Sequence, residues 1–342
     1  MTAVTVPGAN ATFVTNNFNG LANTALAQSI ATTLNGLLAS GAFNVTSVAG
    51  GGTAPAATAG IVNELEIMTG GVVSVPAGYA FVADGSHNAN LSIFGGNSFF
   101  GGAGNINYTN SGASPAVIVA GDGSDTFSLS GNYTVAAGSG SDTFSLSGTG
   151  QVSLGGGGNG VNITSGADTI FAGANPGPTG MLGGTGSVYF VAGASANTVA
   201  DFIVGGSGGD TIFGAANNFV IYNSPTVGAA SAPGALLVAG AGNETLFDVG
   251  ATNDLLFAGN QGGNQLLAAG LGNDSLVTDS LIGGPGTDQF FISNSALVSA
   301  IAGTAVTPGV DFLYNTRAGE TVNLTGFDTL YGAANSGAAA NA

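Results

Sequence analysis

The stretch AGDGSDTFSLSGNYTVAAGSGSDTFSLSG, residues 120–148, carries the string GSDTFSLSG twice, from Gly123 and again from Gly140. Thr126, Phe127, Ser128 and Leu129 alternate polar and apolar, the period-2 pattern of a strand with one buried face, and Thr143 to Leu146 repeat it. A glycine-rich turn precedes each copy, and a second strand-like run, NYTVA, lies between them. One period of 17 residues thus holds two strands and two turns. Units of that kind stack copy upon copy, so that equivalent residues lie directly above one another. The expected fold is all-β: a parallel β-solenoid with roughly 18 residues per coil and ~4.8 Å between coils.

The same texture runs outward in both directions. From about Asn90, short apolar runs such as LSIFGG, TIFA, VYFVA, FIVGG and QFFI are each closed by Gly, Asn, Asp or Ser. From Ala239 the period is plain in AGAGNETLFD, VGATNDLLFA, GNQGGNQLLA and AGLGNDSLVT, where Asn243, Asn253, Asn264 and Asn273 recur about every ten residues.

The N-terminal part reads differently. Leu26, Ile30, Leu34 and Leu37 fall on one face of a helix over residues 21–38, with Gly41 as its stop. After the loop GGGTAPAATAG, the residues Ile61, Leu65 and Ile67 lie on one side of an extended segment, and Glu64 and Glu66 on the other, read as a solvated face. The expected organisation is a helix-containing cap at 1–90, solenoid repeats at 91–333 and a flexible tail at 334–342.

Composition restricts the function. One basic residue of the Lys/Arg type against 18 acids leaves a net charge of −17. That argues against nucleic acid and anionic membrane surfaces as partners, since both need clustered Lys and Arg, and makes cations the natural ligands. Fourteen of the acids are Asp, the carboxylate suited to tight turns. Without Cys there are no disulfides and no thiolate metal sites. No run reaches the ~18 apolar residues of a membrane span, and the N-terminus lacks the pattern of a cleaved signal peptide.

The nonapeptide G-G-x-G-x-D-x-U-x, with U a large apolar residue, is matched by GGSGGDTIF from Gly205 and GGPGTDQFF from Gly283. Near matches are AGDGSDTFS from Ala120, AGSGSDTFS from Ala137 and AGLGNDSLV from Ala269. This pattern resembles the RTX, or haemolysin-type, calcium-binding repeat family. The resemblance implies a β-roll that holds Ca2+ between successive turns, type I secretion and an extracellular location. Carried over position by position, it implies Asp125, Asp142, Asp210, Asp254, Asp274 and Asp288 as calcium ligands. An Asp in a glycine-rich turn suits that role, because glycine lets carbonyls converge beside the carboxylate. Some turns depart from the pattern: Ile106 and Val188 stand where Asp belongs, as do Glu244 and Gln265.

Catalytic signatures are missing. His87 is the single histidine, set among polar residues, and reads as a turn residue rather than a base. Glu64 and Glu66 are strand neighbours rather than a paired-carboxylate site. Arg317 takes a surface role by default. The first 90 residues contain neither HExxH nor GxSxG. The reading is therefore a non-enzymatic extracellular or cell-surface structural protein, calcium-assisted, that polymerises head to tail into a surface layer or matrix filament, with the helix covering one end of the solenoid. Two alternatives stand beside it: an adhesin or ice-binding module with outward Thr and Ser, or a polysaccharide-acting solenoid enzyme.

Overall fold

The computed structural model describes residues 1–172 apart from 86, 94–96 and 111–114, then 176–193 and 201–214, and from there to 325 chiefly the strand segments. The chain is a parallel β-solenoid, with one α-helix among the described residues, near its N-terminus. It divides into two compact units, Met1–Thr179 and Gly180–Ala342.

In the first unit, β1 (Thr2–Pro7) and β2 (Phe13–Phe18) form an antiparallel hairpin, followed by α1 (Leu21–Ser40). Ala27, Ile30, Ala31 and Leu34 make the buried stripe of α1, and Gly41 ends it in the left-handed conformation (φ 71°), donating its N–H to the Leu38 carbonyl. The coils then begin. One sheet stacks β3 (Phe43–Val48), β4 (Val62–Ile67), β6 (Phe81–Asp84), β8 (Ser98–Phe100), β10 (Ala116–Val119), β12 (Asn132–Ala136), β14 (Thr149–Ser153) and β16 (Ala167–Phe171) in parallel. The other stacks β5 (Gly71–Val75), β7 (Ala89–Ile93), β9 (Ile106–Asn110), β11 (Thr126–Leu129), β13 (Thr143–Leu146) and β15 (Gly157–Ile163).

Register follows the repeat: Thr126 pairs with Thr143, Phe127 with Phe144 and Leu129 with Leu146. Inward side chains form continuous columns. Leu65, Val82, Phe99, Ile118, Val135 and Val152 lie in register down the first sheet, and Leu91, Tyr108, Phe127, Phe144 and Val161 down the second, all buried. Phe127 and Phe144 stack face to face with centroids 4.9 Å apart. Each such apolar side chain contributes ~1.5–3 kcal/mol by leaving water, so the columns carry most of the cohesion between coils.

The cap is smaller than the sequence predicts and sits elsewhere. The parallel sheets start at Phe43, so the strands between 43 and 84 belong to the solenoid rather than to the cap. The hairpin and α1 do not close the end of the coil stack; they lie along its flank, over the outer face of the first sheet. Val4, Val6, Val14, Phe18, Ile30 and Leu34 pack there against Ala83, Phe100 and Val119, which point outward from β6, β8 and β10. Those three residues are apolar on a face that elsewhere meets water, which is why the cap docks on the flank.

In the second unit, β19 (Asp201–Gly205) pairs with β21 (Phe219–Asn223), and β18 (Ser187–Val191) with β20 (Thr211–Phe213), again in parallel. Further parallel strands continue both sheets to β28 (Phe312–Leu313) and β29 (Thr321–Thr325). The coil length departs here from the predicted 18 residues: Thr211 pairs with Leu236 and Ser275 with Phe312, the surplus residues lying between strands. Residues 326–342, including the predicted tail, lie outside the described residues.

Candidate metal centre

The turns AGDGSD (120–125) and AGSGSD (137–142) join the first sheet to the second, in successive coils. Their glycines are required by closeness. A Cβ on Gly138 would lie 1.5 Å from the Gly121 carbonyl oxygen below it, and one on Gly140 would lie 1.6 Å from that of Gly123. The two turns thus stack backbone upon backbone, with glycine carbonyls aimed at the next coil.

At the end of each turn the carboxylate points inward. Asp125 Oδ1 accepts the Ile106 N–H at 2.8 Å, Asp142 Oδ1 accepts the Asp125 N–H at 2.9 Å, and Asn159 Oδ1 accepts the Asp142 N–H at 3.0 Å. Each side chain therefore reaches back one coil and satisfies a backbone donor at the start of the strand below. Asp125 and Asp142 are both 1 % exposed, and the Oδ2 of each is buried without a partner. Burial pushes both carboxyls up to about 7, with the N–H bonds opposing it and, for Asp142, the nearby Asp125 charge adding to it.

Asp210 occupies the opposite turn type, from the second sheet to the first. Its Oδ1 accepts the Val188 N–H and its Oδ2 the Gly206 N–H, so both oxygens have partners. Burial still raises its carboxyl to about 6. Asp254, Asp274 and Asp288 lie outside the described residues. Asp168, which the nonapeptide pattern misses, builds the same staple: its Oδ1 accepts the Gly150 N–H at 3.0 Å and the Tyr133 hydroxyl proton. The signal for it was DTIF, identical at 168–171 and 210–213, although Asp168 has only one glycine close before it.

Calcium fits the Asp125–Asp142 pair in kind. Two orphaned, buried carboxylate oxygens sit one coil apart beside columns of glycine carbonyls, and a hard cation takes oxygen donors. Asp210 fits less well, because backbone N–H groups already occupy it. No group of three or more acidic or imidazole side chains suited to a metal occurs among the described residues, so such an ion would draw the rest of its ligands from carbonyls and water.

Two predicted assignments change. Glu64 and Glu66 do not face solvent: they are 0 % and 7 % exposed, beneath the cap. His87 is a turn residue, but its Nδ1 lies 2.7 Å from Oδ1 of the buried Asp84.

The outer face of the second sheet is the other regular surface. Ser74, Ser92, Thr109, Ser128, Ser145 and Asn162 lie in register in one exposed column. Asn90, Asn107, Thr126 and Thr143 form a second column beside it. In the second unit, the corresponding sheet exposes Leu182 and Phe202 instead. Comparison with protein-family models, with curated proteins and with solved structures finds no match.

Proposed function

We propose that the chain is an extracellular structural protein that stacks end to end into a filament or layer, with calcium bound at the turns of Asp125 and Asp142. The observation that carries this reading is the exposed logic of the coil stack. β3 is the terminal strand of its sheet, and the cap that would otherwise close that end lies on the flank. β4 bonds the carbonyls of Ala42 and Val48, a parity that points the N–H groups of Val45 and Ser47 away from β4. A strand edge of that kind is a template for another chain.

Supporting this is the charge of −17, which requires cations before copies can approach. The test is electron microscopy and light scattering across a calcium titration, on the full chain and on Ser47→Pro, which removes one outward N–H. Filaments that form with calcium and are lost in a folded Ser47→Pro support the reading. A full-length protein that stays monomeric at millimolar calcium overturns it, as does a variant that assembles equally well.

The two uncharged columns of the second sheet favour one further reading, an adhesin or ice-binding module, since they offer hydroxyl and amide groups in register at ~4.8 Å intervals. Thermal hysteresis measured on the wild type and on Thr126→Lys/Ser128→Lys separates it: activity lost in the folded variant supports ice binding, and no activity in the wild type removes it.

A further inference from the structure

Beneath the cap, Glu64 and Glu66 project from the outer face of β4, two residues and so ~7 Å apart along the strand. Glu66 Oε2 accepts the Ala9 N–H at 2.7 Å, which ties the hairpin of the cap to the solenoid, and both carboxylate oxygens approach the space over Gly8. Glu64 is fully buried, and neither of its oxygens has a partner. In register with it lie Val45 and Phe81, and in register with Glu66 lie Ser47 and Ala83. Two acids are thus enclosed between an apolar cap and an apolar sheet.

Something must neutralise this pair, because an isolated buried carboxylate is far costlier than any single contact of the cap. No basic side chain does it: among the described residues the imidazole of His87 is the single one, and it is held by Asp84. Burial, with the Glu66 charge adding to it, raises the Glu64 carboxyl to about 8, so a proton competes for this place at lower pH, but it engages only one of the two orphaned oxygens. A cation uses both orphaned oxygens at once.

We propose that Glu64 and Glu66 hold a divalent cation, of the calcium class, that latches the N-terminal cap to the flank of the solenoid. Glu64 supplies two oxygens and Glu66 its Oε1, while Oε2 stays on the Ala9 N–H. The site is independent of the turns at Asp125 and Asp142, so the cap can respond to calcium whether or not those turns do.

The test is amide hydrogen exchange of the cap, followed at β1, β2 and α1 on the full chain at pH 8, with calcium and with EDTA. The expected result is at least tenfold slower exchange with calcium in the wild type. The same response is expected in Asp125→Asn/Asp142→Asn, which separates this site from the turns. Glu64→Gln, neutral and of the same shape, is expected to protect the cap equally with and without calcium. A cap whose protection factors, with the intrinsic pH dependence of exchange divided out, ignore calcium at pH 8 but fall between pH 5 and pH 8 overturns the proposal in favour of a proton. A calcium response that survives in Glu64→Gln or vanishes in the Asp125→Asn/Asp142→Asn variant overturns it in favour of the turns.

Discussion

The backbone N–H of Asp125 donates to Oδ1 of Asp142, its own equivalent one coil later, at 2.9 Å. The motif residue is thus donor in one rung and acceptor in the next, and Asn159 continues the ladder from above. A carboxylate chosen for calcium and one chosen to staple coils look identical in sequence, because either role puts Asp at the first inward position of the strand. They differ in what the second oxygen does, and at Asp125 and Asp142 that oxygen has no partner while at Asp210 it has one.

Asparagine should preserve the staple and alanine should break it. Asp142→Asn keeps an acceptor for the Asp125 N–H, as Asn159 does naturally, so its thermal stability in EDTA is expected to stay near wild type while calcium affinity falls. Asp142→Ala leaves that N–H buried and unpaired, at a cost of ~1–3 kcal/mol. Chemical denaturation of both variants in EDTA checks this; equal losses in the two would mean that the N–H bond contributes nothing.

The stacked glycines set a second expectation. Gly138→Ala forces a methyl group into the Gly121 carbonyl, so the coils must part and the protein is expected to lose its cooperative unfolding transition. Gly36→Ala, on α1 with nothing within 4 Å, is expected to stabilise by up to about 1 kcal/mol through helix propensity alone. Melting curves of the pair provide the check, and a Gly138→Ala that melts like wild type contradicts the backbone contact.

Protons and calcium should act in opposite pH ranges. The carboxyls of Asp125 and Asp142 rise from 3.8 to about 7 on folding, so the metal-free folded state holds their protons more tightly than the unfolded chain. Their contribution to stability is therefore complete below pH ~4 and is lost as pH rises through about 7. Glu64, Asp84, Asp168 and Asp210 are raised by burial in the same direction and steepen the trend. Urea midpoints in EDTA are expected to fall from pH 4 to pH 8, less steeply in Asp125→Asn/Asp142→Asn, and calcium is expected to restore the midpoint at pH 8 while adding little at pH 5. A flat profile in EDTA would rule out buried, proton-holding carboxylates.

The duplicated GSDTFSLSG made strand identity, coil length and register legible around residues 107–163, because identical residues can only superpose when the coils match. The limits of the solenoid were less legible. Strands such as VNELEI at 62–67 alternate correctly but are preceded by a loop without the glycine motif, and so they read as cap. Alternation also placed Glu64 and Glu66 on the face opposite Leu65, which is where they are; what covers that face depends on residues 4–34, too distant in sequence for any local pattern to reveal. Asp168 escaped for a related reason, since its partners are Gly150 in the preceding coil and Tyr133 in the coil before that.

That last arrangement supports an experiment of its own. Tyr133, Gly150 and Asp168 lie in register in three successive coils, β12, β14 and β16. The Tyr133 ring lies over Gly150, where a Cβ would come within 2.2 Å of Cδ2, and its hydroxyl passes that rung to donate to Asp168 Oδ1. Burial raises the Asp168 carboxyl to about 6, with the Tyr133 and Gly150 bonds opposing it, and the same environment lifts the Tyr133 phenol well above its ordinary value. Tyr133→Phe removes the hydroxyl donor, leaving Asp168 with the Gly150 N–H and an unpartnered Oδ2. The folded-state carboxyl should then rise further, so the variant is expected to lose ~1–3 kcal/mol at pH 8, where Asp168 ionises, and distinctly less at pH 5, where it is protonated. In an Asp168→Asn background, neutral at both values, the Tyr133→Phe loss should become independent of pH. Denaturation of the four proteins at the two pH values completes a double-mutant cycle. A Tyr133→Phe penalty that is the same at pH 5 and pH 8 in the parent would show that the hydroxyl stabilises by packing rather than by serving the Asp168 carboxylate.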